Sequence, residues 1–481
     1  MKIKHVLLAA ILIGSINASA KDYHYTTVPG DAMQTRIYTL DNGLKVYMSV
    51  NKEKPRLQVN IAVKTGSRND PAETTGLAHY LEHLMFKGTK KFGTIDAAKE
   101  KPYLDEITRR YETYRKLTDP AQRKQAYHEI DSISQLAAKY NIPNEYDKLM
   151  SSIGSEGTNA YTSNDVTCYV ENIPNNEIEN WAKVQSDRFQ NMVIRGFHTE
   201  LEAVYEEKNI SMASDATKEF AALWSLLTPT HPYGTQTTIG EQEHLKNPSI
   251  INIQNYFHRY YVPNNVAIVM AGDFDPDKTI ALIDQYFGSW KKSDNLSRPE
   301  FEAQPAITAV KDTTVVGKEQ ENVMLAWLFK GVNDQLYDTL DVISDLLANG
   351  KAGLFEVNLE QKMKLASAGA FNYGLHDYTA FIVQALPNKG QKLEDTRALV
   401  LGEMDKLRRG EFADELLPAI MANEKLNFYK GLDDNENRAS IMVDAFINDQ
   451  KWEDVVKQLD RQSKLTKKDI IDFANKHLRA D

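Results

Sequence analysis

The chain has a single cysteine, Cys168, in 481 residues. An internal disulfide is therefore impossible, the fold must rest on its core, and a buried structural thiol is the expected role of Cys168. Beyond the N-terminal leader no segment reaches the roughly 20 apolar residues that a membrane-spanning helix needs. Positive charge is also in deficit: 57 Lys and Arg stand against 67 Asp and Glu, a formal charge of −10. That balance disfavours nucleic acid or an anionic membrane surface as partner. What the chain does have is apolar mass, 42% of residues. It can bury a large core, and its length favours two or more domains.

Lys2 and Lys4 precede an apolar run from Val6 to Ile16 and then Ala18-Ser19-Ala20. This is the layout of a secretory signal peptide, residues 1–20, cut after Ala20. The run is too short for a membrane anchor, and no cysteine follows it closely enough to carry a lipid. The mature chain is expected to start at Lys21 in a periplasmic or extracellular setting. Loss of the two lysines takes the formal charge from −10 to −12.

Residues 36–66 alternate as strand, DNG turn and strand. Asn69-Asp70-Pro71 then reads as the start of a helix, with Asp70 as N-cap and Pro71 in its first position. Residues 95–141 read as an inserted helical hairpin, a packing decoration, broken at Asp119-Pro120. GTNAYTSNDVTCYVENI, residues 157–173, reads as an extended strand. Two helices follow, ENWAKVQSDRFQNMVI and ELEAVYEEKNI, then the HPYG loop at 231–234. A helix ending near Tyr261, the buried strand in VPNNVAIVMAGDF and the helix KTIALIDQYFGSW complete the first half. Residues 293–305 have the composition of a linker.

The remainder reads as a worn second copy. VMLAWLFKG parallels VNIAVKTG, and LDVISDLLANG parallels LAHYLEHLMFKG. In that alignment Val342, Asp345 and Leu346 face His79, Glu82 and His83, so the second copy is expected to hold no metal. The closing TKKDIIDFANKHLRAD resembles SIINIQNYFHRYYVPNN without a strand after it, so the second sheet is expected to lack its final strand. Either a longer parent chain or another polypeptide would complete it. The expected organisation is a signal peptide (1–20), a metal-bearing domain (21–292), a linker (293–305) and an inactive repeat (306–481).

In GLAHYLEHLMFKGT, His79 and His83 stand four apart and share one helical face, with Glu82 beside it. Two neutral imidazoles and a nearby carboxylate point to zinc. A catalytic zinc takes three protein ligands and keeps one position open. The third can come from ELEAVYEEKN, where Glu200, Ala203, Val204 and Glu207 form one stripe and Glu202 and Glu206 another. Packing through Ala203 and Val204 would aim Glu200 or Glu207 at the metal, and periodicity leaves open which of them is the ligand. Glu202 and Glu206 read as a solvated face. A purely structural zinc is disfavoured, since such sites are usually closed by four ligands, often cysteines.

His79-x-x-Glu82-His83, followed by the Glu200 and Glu207 pair, resembles the pitrilysin/insulinase family of zinc metallopeptidases with its inverted H-x-x-E-H motif. The likeness extends over the NGLKVY hairpin, NAYTSNDVT, HPYGTQTTIG and YYVPNNVAIVMAGDFDP. The resemblance implies an α+β fold of two repeated domains, each a mainly antiparallel sheet with helices on one face, forming half of a clamshell. It implies one zinc ion held by His79, His83 and Glu207, with Glu200 in support and Glu82 as general base for peptide hydrolysis. It also implies that the strand after Gly157 is an edge to which a peptide adds, with Asn159 and Ala160 as contacts.

One part is missing. Active relatives place an Arg and a Tyr in the second domain to hold substrate and stabilise the oxyanion, whereas LEQKMKLAS has Glu360 and Ser367 at those positions. Either a second peptidase half or subunit supplies the pair, or the chain is a non-catalytic peptide-binding or structural subunit of the same fold. Retention of Glu82 argues for the first.

Overall fold

A computed structural model describes residues 21–480 of the chain; the expected signal peptide lies outside them. Among the described residues ten strands are distributed between two sheets. The first holds β1 (Tyr25–Thr26), β2 (Arg36–Thr39), β3 (Lys45–Val50), β4 (Arg56–Val63), β5 (Glu156–Thr162), β6 (Thr167–Pro174) and β7 (Val266–Gly272), in the order β1-β2-β3-β7-β4-β6-β5. All neighbours are antiparallel except β3 and β7. The second holds β8 (Val323–Lys330), β9 (Ser367–Gly374) and β10 (Tyr378–Leu386), in the order β8-β10-β9. It repeats the β4-β6-β5 arrangement of the first. Among the described residues no strand lies against β8 as β7 lies against β4.

Local chemistry accounts for the hairpin of β2 and β3. Gly43, at φ +87°, supplies the left-handed turn residue, and the Gly43 amide donates to the Leu40 carbonyl at 2.8 Å. Asn42 ties this turn to the end of the helix Pro276–Phe287, donating to the Phe287 carbonyl at 2.8 Å. Strand alternation then decides which side chains enter which core. Val46, Met48, Ile61, Ile268 and Met270 face the first domain's own helices. Tyr47, Ala62, Cys168, Val269 and Ala271 face the opposite way, onto Met442, Val443 and Phe446 of the helix Asn435–Ile447 from the second half of the chain.

The exchange is reciprocal. Trp224 and Leu227, on the first-half helix Asp215–Leu227, pack against Ala380 and Ile382 on the outer face of the second sheet. Each sheet carries its own helices on one face and is covered on the other by a helix of its neighbour; β7 is apolar on both sides, as a buried central strand is, whereas β4 buries Gln58 and Asn60 on the same side as Ala62, with Gln58 donating to Asn60 at 2.9 Å. Cys168 is buried in the shared interface as a free thiol, and burial pushes it up to about 12.

Three details depart from the sequence reading. Residues 157–173 are a hairpin, β5 and β6, rather than one strand; the Ser163 amide donates to the Val166 carbonyl at 2.8 Å to close the turn. The motif helix starts at Leu77 rather than Pro71. Asp70 still caps it, but from a loop, accepting from the amides of Gly76 (2.7 Å) and Ala78 (3.0 Å). The coil expected over 293–305 continues to Asn322 and is pinned: the Gln304 amide donates to the Tyr378 hydroxyl at 2.8 Å. No described helix is long and apolar enough to cross a membrane.

Candidate metal centre

The motif helix Leu77–Leu84 buries Leu77, Ala78, Leu81 and Leu84 in the first core, which leaves His79, Glu82 and His83 on the remaining face. Beside it runs the helix Phe197–Ala213, carrying Glu200 and Glu207. Its inward stripe is Phe197, Leu201, Val204 and Lys208; Val204 is buried as expected, but Ala203 is exposed and Leu201 makes the contact in its place. Tyr80 of the motif helix hydrogen-bonds the Phe197 carbonyl and its ring lies 4.8 Å from that of Phe197, locking the two helices. The inserted hairpin, Ala97–Tyr114 and Pro120–Ala138, reaches the same helix through Tyr111, whose hydroxyl lies 2.7 Å from His198 Nδ1.

This packing brings His79, His83 and Glu207 together, with one ligand atom of each within 4.8 Å of the others. Glu207 Oε2 lies 3.4 Å from His79 Nε2 and 3.5 Å from His83 Nε2. Two donors on a tetrahedral zinc, each at about 2.0–2.1 Å, are roughly 3.3–3.4 Å apart. The donor set thus fits a zinc ion in both residue type and spacing. Glu200 faces elsewhere: one oxygen is 3.4 Å from His83 Nδ1 and the other is 2.5 Å from Lys87 Nζ. A proton on His83 Nδ1 shared with Glu200 leaves the Nε2 lone pair free toward Glu207's side, the usual role of a carboxylate behind a metal-binding imidazole. Glu202 and Glu206 are exposed. Glu200→Gln is expected to weaken zinc binding about 10–100-fold without changing the stoichiometry, read by competition with a chelator of known affinity.

Electrostatics support the same division. Burial, with His83 adjacent, pushes His79 down to about 4, so its ring is neutral. Burial also pulls His83 down, but the hydrogen bond that it donates to Glu200 and the charges of Glu207 and Glu82 outweigh it and raise the group. Glu200 is held below the usual carboxylate range; burial opposes ionisation, and His83 and Lys87 overcome it.

Glu82 is buried, and the Thr162 hydroxyl donates to its Oε2 at 2.6 Å. Burial raises it, with Thr162 and His83 pulling the other way. Thr162 ends β5, the outermost strand, and Asn159 and Ala160 lie on that strand opposite Val170 and Tyr169. Among the described residues nothing pairs with the outer side of β5, so the base and a free strand edge stand next to each other. Thr162 and Lys87 were not singled out by sequence; Thr162 lies within NAYTSNDVT, but only the fold carries it to Glu82.

In the second domain, Val342 and Leu346, the counterparts of the two histidines, are buried in an apolar core, and Asp345 is pushed up to about 7 by burial beside Glu424 and Asp341. Glu360 accepts from the Ala368 amide at 2.7 Å, and Ser367 is exposed at the start of β9.

Sequence models place the chain in the same class. Residues 45–101 match the insulinase family, peptidase family M16, and residues 251–423 match the peptidase M16 inactive domain. The chain belongs to the pitrilysin/insulinase family of peptidases. It is 25% identical to the zinc protease PqqE of Helicobacter pylori over 454 residues, 92% of this chain and 88% of that protein. It is also 25% identical to the uncharacterized zinc protease YmxG of Bacillus subtilis over 352 residues, 71% of this chain and 70% of that one. A crystal structure of a Helicobacter pylori protease superposes with a TM-score of 0.75 at 22% identity, covering 92% of this chain and 97% of that chain. The periplasmic protease PqqL of Escherichia coli gives 0.71 at 16% identity, with 94% of this chain covering 47% of it. These likenesses support a mixed α+β fold with two sheets, like the clamshell proteins of that family.

Proposed function

We propose that the chain is a zinc-dependent endopeptidase for peptides or small unfolded polypeptides. The observation that carries this is the placement of Glu207 Oε2 at 3.4 and 3.5 Å from the two Nε2 atoms, with Glu82 beside the group and β5's free edge above it. His79, His83 and Glu207 would hold one zinc ion, and Glu200 would fix the His83 tautomer. Bound there, zinc supplies Lewis acidity, which lowers the pKa of a water to about 7 and polarises a peptide carbonyl. The peptide adds to β5 in extended form, the backbone of Asn159 and Ala160 setting its register. Glu82, raised by its burial, takes a proton from the attacking water and returns it to the leaving amine. Thr162 holds the carboxylate in the orientation that this transfer needs.

The segment that holds Glu360 and Ser367 offers no Arg and Tyr to the substrate, so full activity calls for a second half or subunit. Solved neighbours include the first half of the PqqL protease and a chain of complex III2 from Candida albicans, which supports such an arrangement. Export, with the signal removed after Ala20, agrees with PqqL being periplasmic. The purified chain is expected to bind one zinc per molecule by elemental analysis and to cleave fluorogenic peptides weakly, with a large gain on adding the complementary half. Strong cleavage by the monomer would overturn the need for a partner.

The alternative, a non-catalytic peptide-binding subunit, draws on the inactive-domain match over 251–423. It predicts zinc binding with no Glu82-dependent cleavage in any combination of halves.

A further inference from the structure

HPYG and NAYTSNDVT, two of the quoted stretches, meet where the turn between β9 and β10 docks on the first domain. Asp377, in that turn, has one carboxylate oxygen 2.6 Å from Arg68 Nη1 and 3.0 Å from His231 Nε2, and the other 2.6 Å from His376 Nδ1. On the far side of Arg68, its Nε lies 3.1 Å from Asp165. Asp165 also accepts from the Tyr233 hydroxyl at 2.8 Å and from the His376 amide at 3.1 Å. Arg68, Asp165, His231 and Tyr233 are all buried.

Asp165 sits in the turn that joins β5 to β6. The amides of Ser67 and Arg68 donate to the carbonyls of Ser163 (3.0 Å) and Asn164 (2.9 Å) in that turn. A Cβ on Gly66 would come within 2.2 Å of the Ser163 oxygen, so only glycine lets the two loops approach so closely. The residue before the turn is Thr162, the hydrogen-bond partner of Glu82.

We propose that Asp377, from the second domain, is a positioning residue for the reaction: through Arg68 it holds the β5–β6 turn, and with it the edge strand, in place beside Glu82. A buried guanidinium needs its carboxylates. When Asp377 loses its charge, Arg68 shifts toward the Asp165 side and its backbone grip on the turn loosens. The second repeat, with no metal site of its own, thereby contributes to the site of the first. The catalytic part of this inference rests on the peptidase reading above.

The test is hydrogen exchange by mass spectrometry on the zinc-loaded full chain, comparing wild type with Asp377→Asn. Residues 156–166 are expected to exchange about tenfold faster in the variant. KM for a peptide should rise several-fold at unchanged zinc content, since a misplaced strand edge weakens binding before it touches the metal. His231→Gln, which removes one partner of Asp377 and leaves both charges, is the milder second variant and should give about a threefold change in exchange. Arg438→Gln is the control for general loosening between domains: Arg438 donates at 3.0 Å to Ser49 on β3, which β7, β4 and β6 separate from β5. It should leave residues 156–166 as in wild type. Wild-type exchange in Asp377→Asn, or equal acceleration in Arg438→Gln, would overturn the proposal. Exchange does not depend on turnover, so a wild-type chain that cleaves nothing either alone or with the complementary half would refute the peptidase reading while the exchange comparison still decides this one.

Discussion

Glu82→Gln is expected to leave zinc bound at one per chain and to lower peptide cleavage by about 10²–10⁴-fold, the usual contribution of a positioned general base. Glutamine keeps the shape of the side chain and an oxygen to accept from the Thr162 hydroxyl. It removes only the capacity to take a proton. Metal content measured beside kcat separates this outcome from simple loss of the site, and unchanged cleavage would sink the mechanism. The pH profile carries the same assignment. Burial raises Glu82, so the acid limb of kcat/KM should lie above the ordinary carboxylate range of about 4.3. Activity is present above that limb and lost as falling pH protonates the base. In Thr162→Val the carboxylate loses a hydrogen bond that favours its charged form, so the limb should move to higher pH.

The largest effect on stability is expected at Arg188. Its side chain is fully buried, with the guanidinium carbon 4.4 Å from the ring centres of Tyr146 and Tyr169, 4.8 Å from Phe86 and 5.6 Å from Phe189. Its counter-charge is Glu171, 3.9 Å away, which also accepts from Tyr146, from Trp181 at 2.5 Å and from Gln185 at 2.8 Å. Burial pushes Glu171 up and Arg188 restrains it. Arg188→Met should cost about 3–5 kcal/mol, because a buried carboxylate is left without its cation. Arg188→Met with Glu171→Gln should recover a large part of that loss, read as the shift of the urea midpoint. If the double variant were no more stable than the single one, aromatic packing rather than the charge pair would account for the loss. Phe86 follows directly on the motif helix, so this cation also supports the helix that carries His79 and His83.

Much of this was legible without coordinates where the signal is local. The DNG turn, the strands on either side of it, the buried β7 and the i, i+4 histidines each follow from spacing within a few residues. The misreadings share one cause. Residues 157–173 have the β-branched content of one long strand, and the turn that splits them is held by amides of Ser67 and Arg68 nearly a hundred residues earlier in the chain. The motif helix starts late because Asp70 reaches back to its first amides from a loop instead of standing at its end. Ala203 belongs to the right stripe by periodicity, yet in the fold it is exposed and Leu201 is buried in its place.

By itself, the sequence determined the chemistry on offer: two imidazoles and a carboxylate on one helical face, and two further carboxylates seven apart on another. Those are consequences of helical repeat alone. The tertiary structure decided which of them meet. Glu207, not Glu200, faces both Nε2 atoms; Thr162 reaches Glu82 across 80 positions of chain; and the second domain touches the first through Asp377. Such assignments depend on how separate elements pack around a common core, and that is set by burial of side chains far apart in sequence rather than by any local pattern.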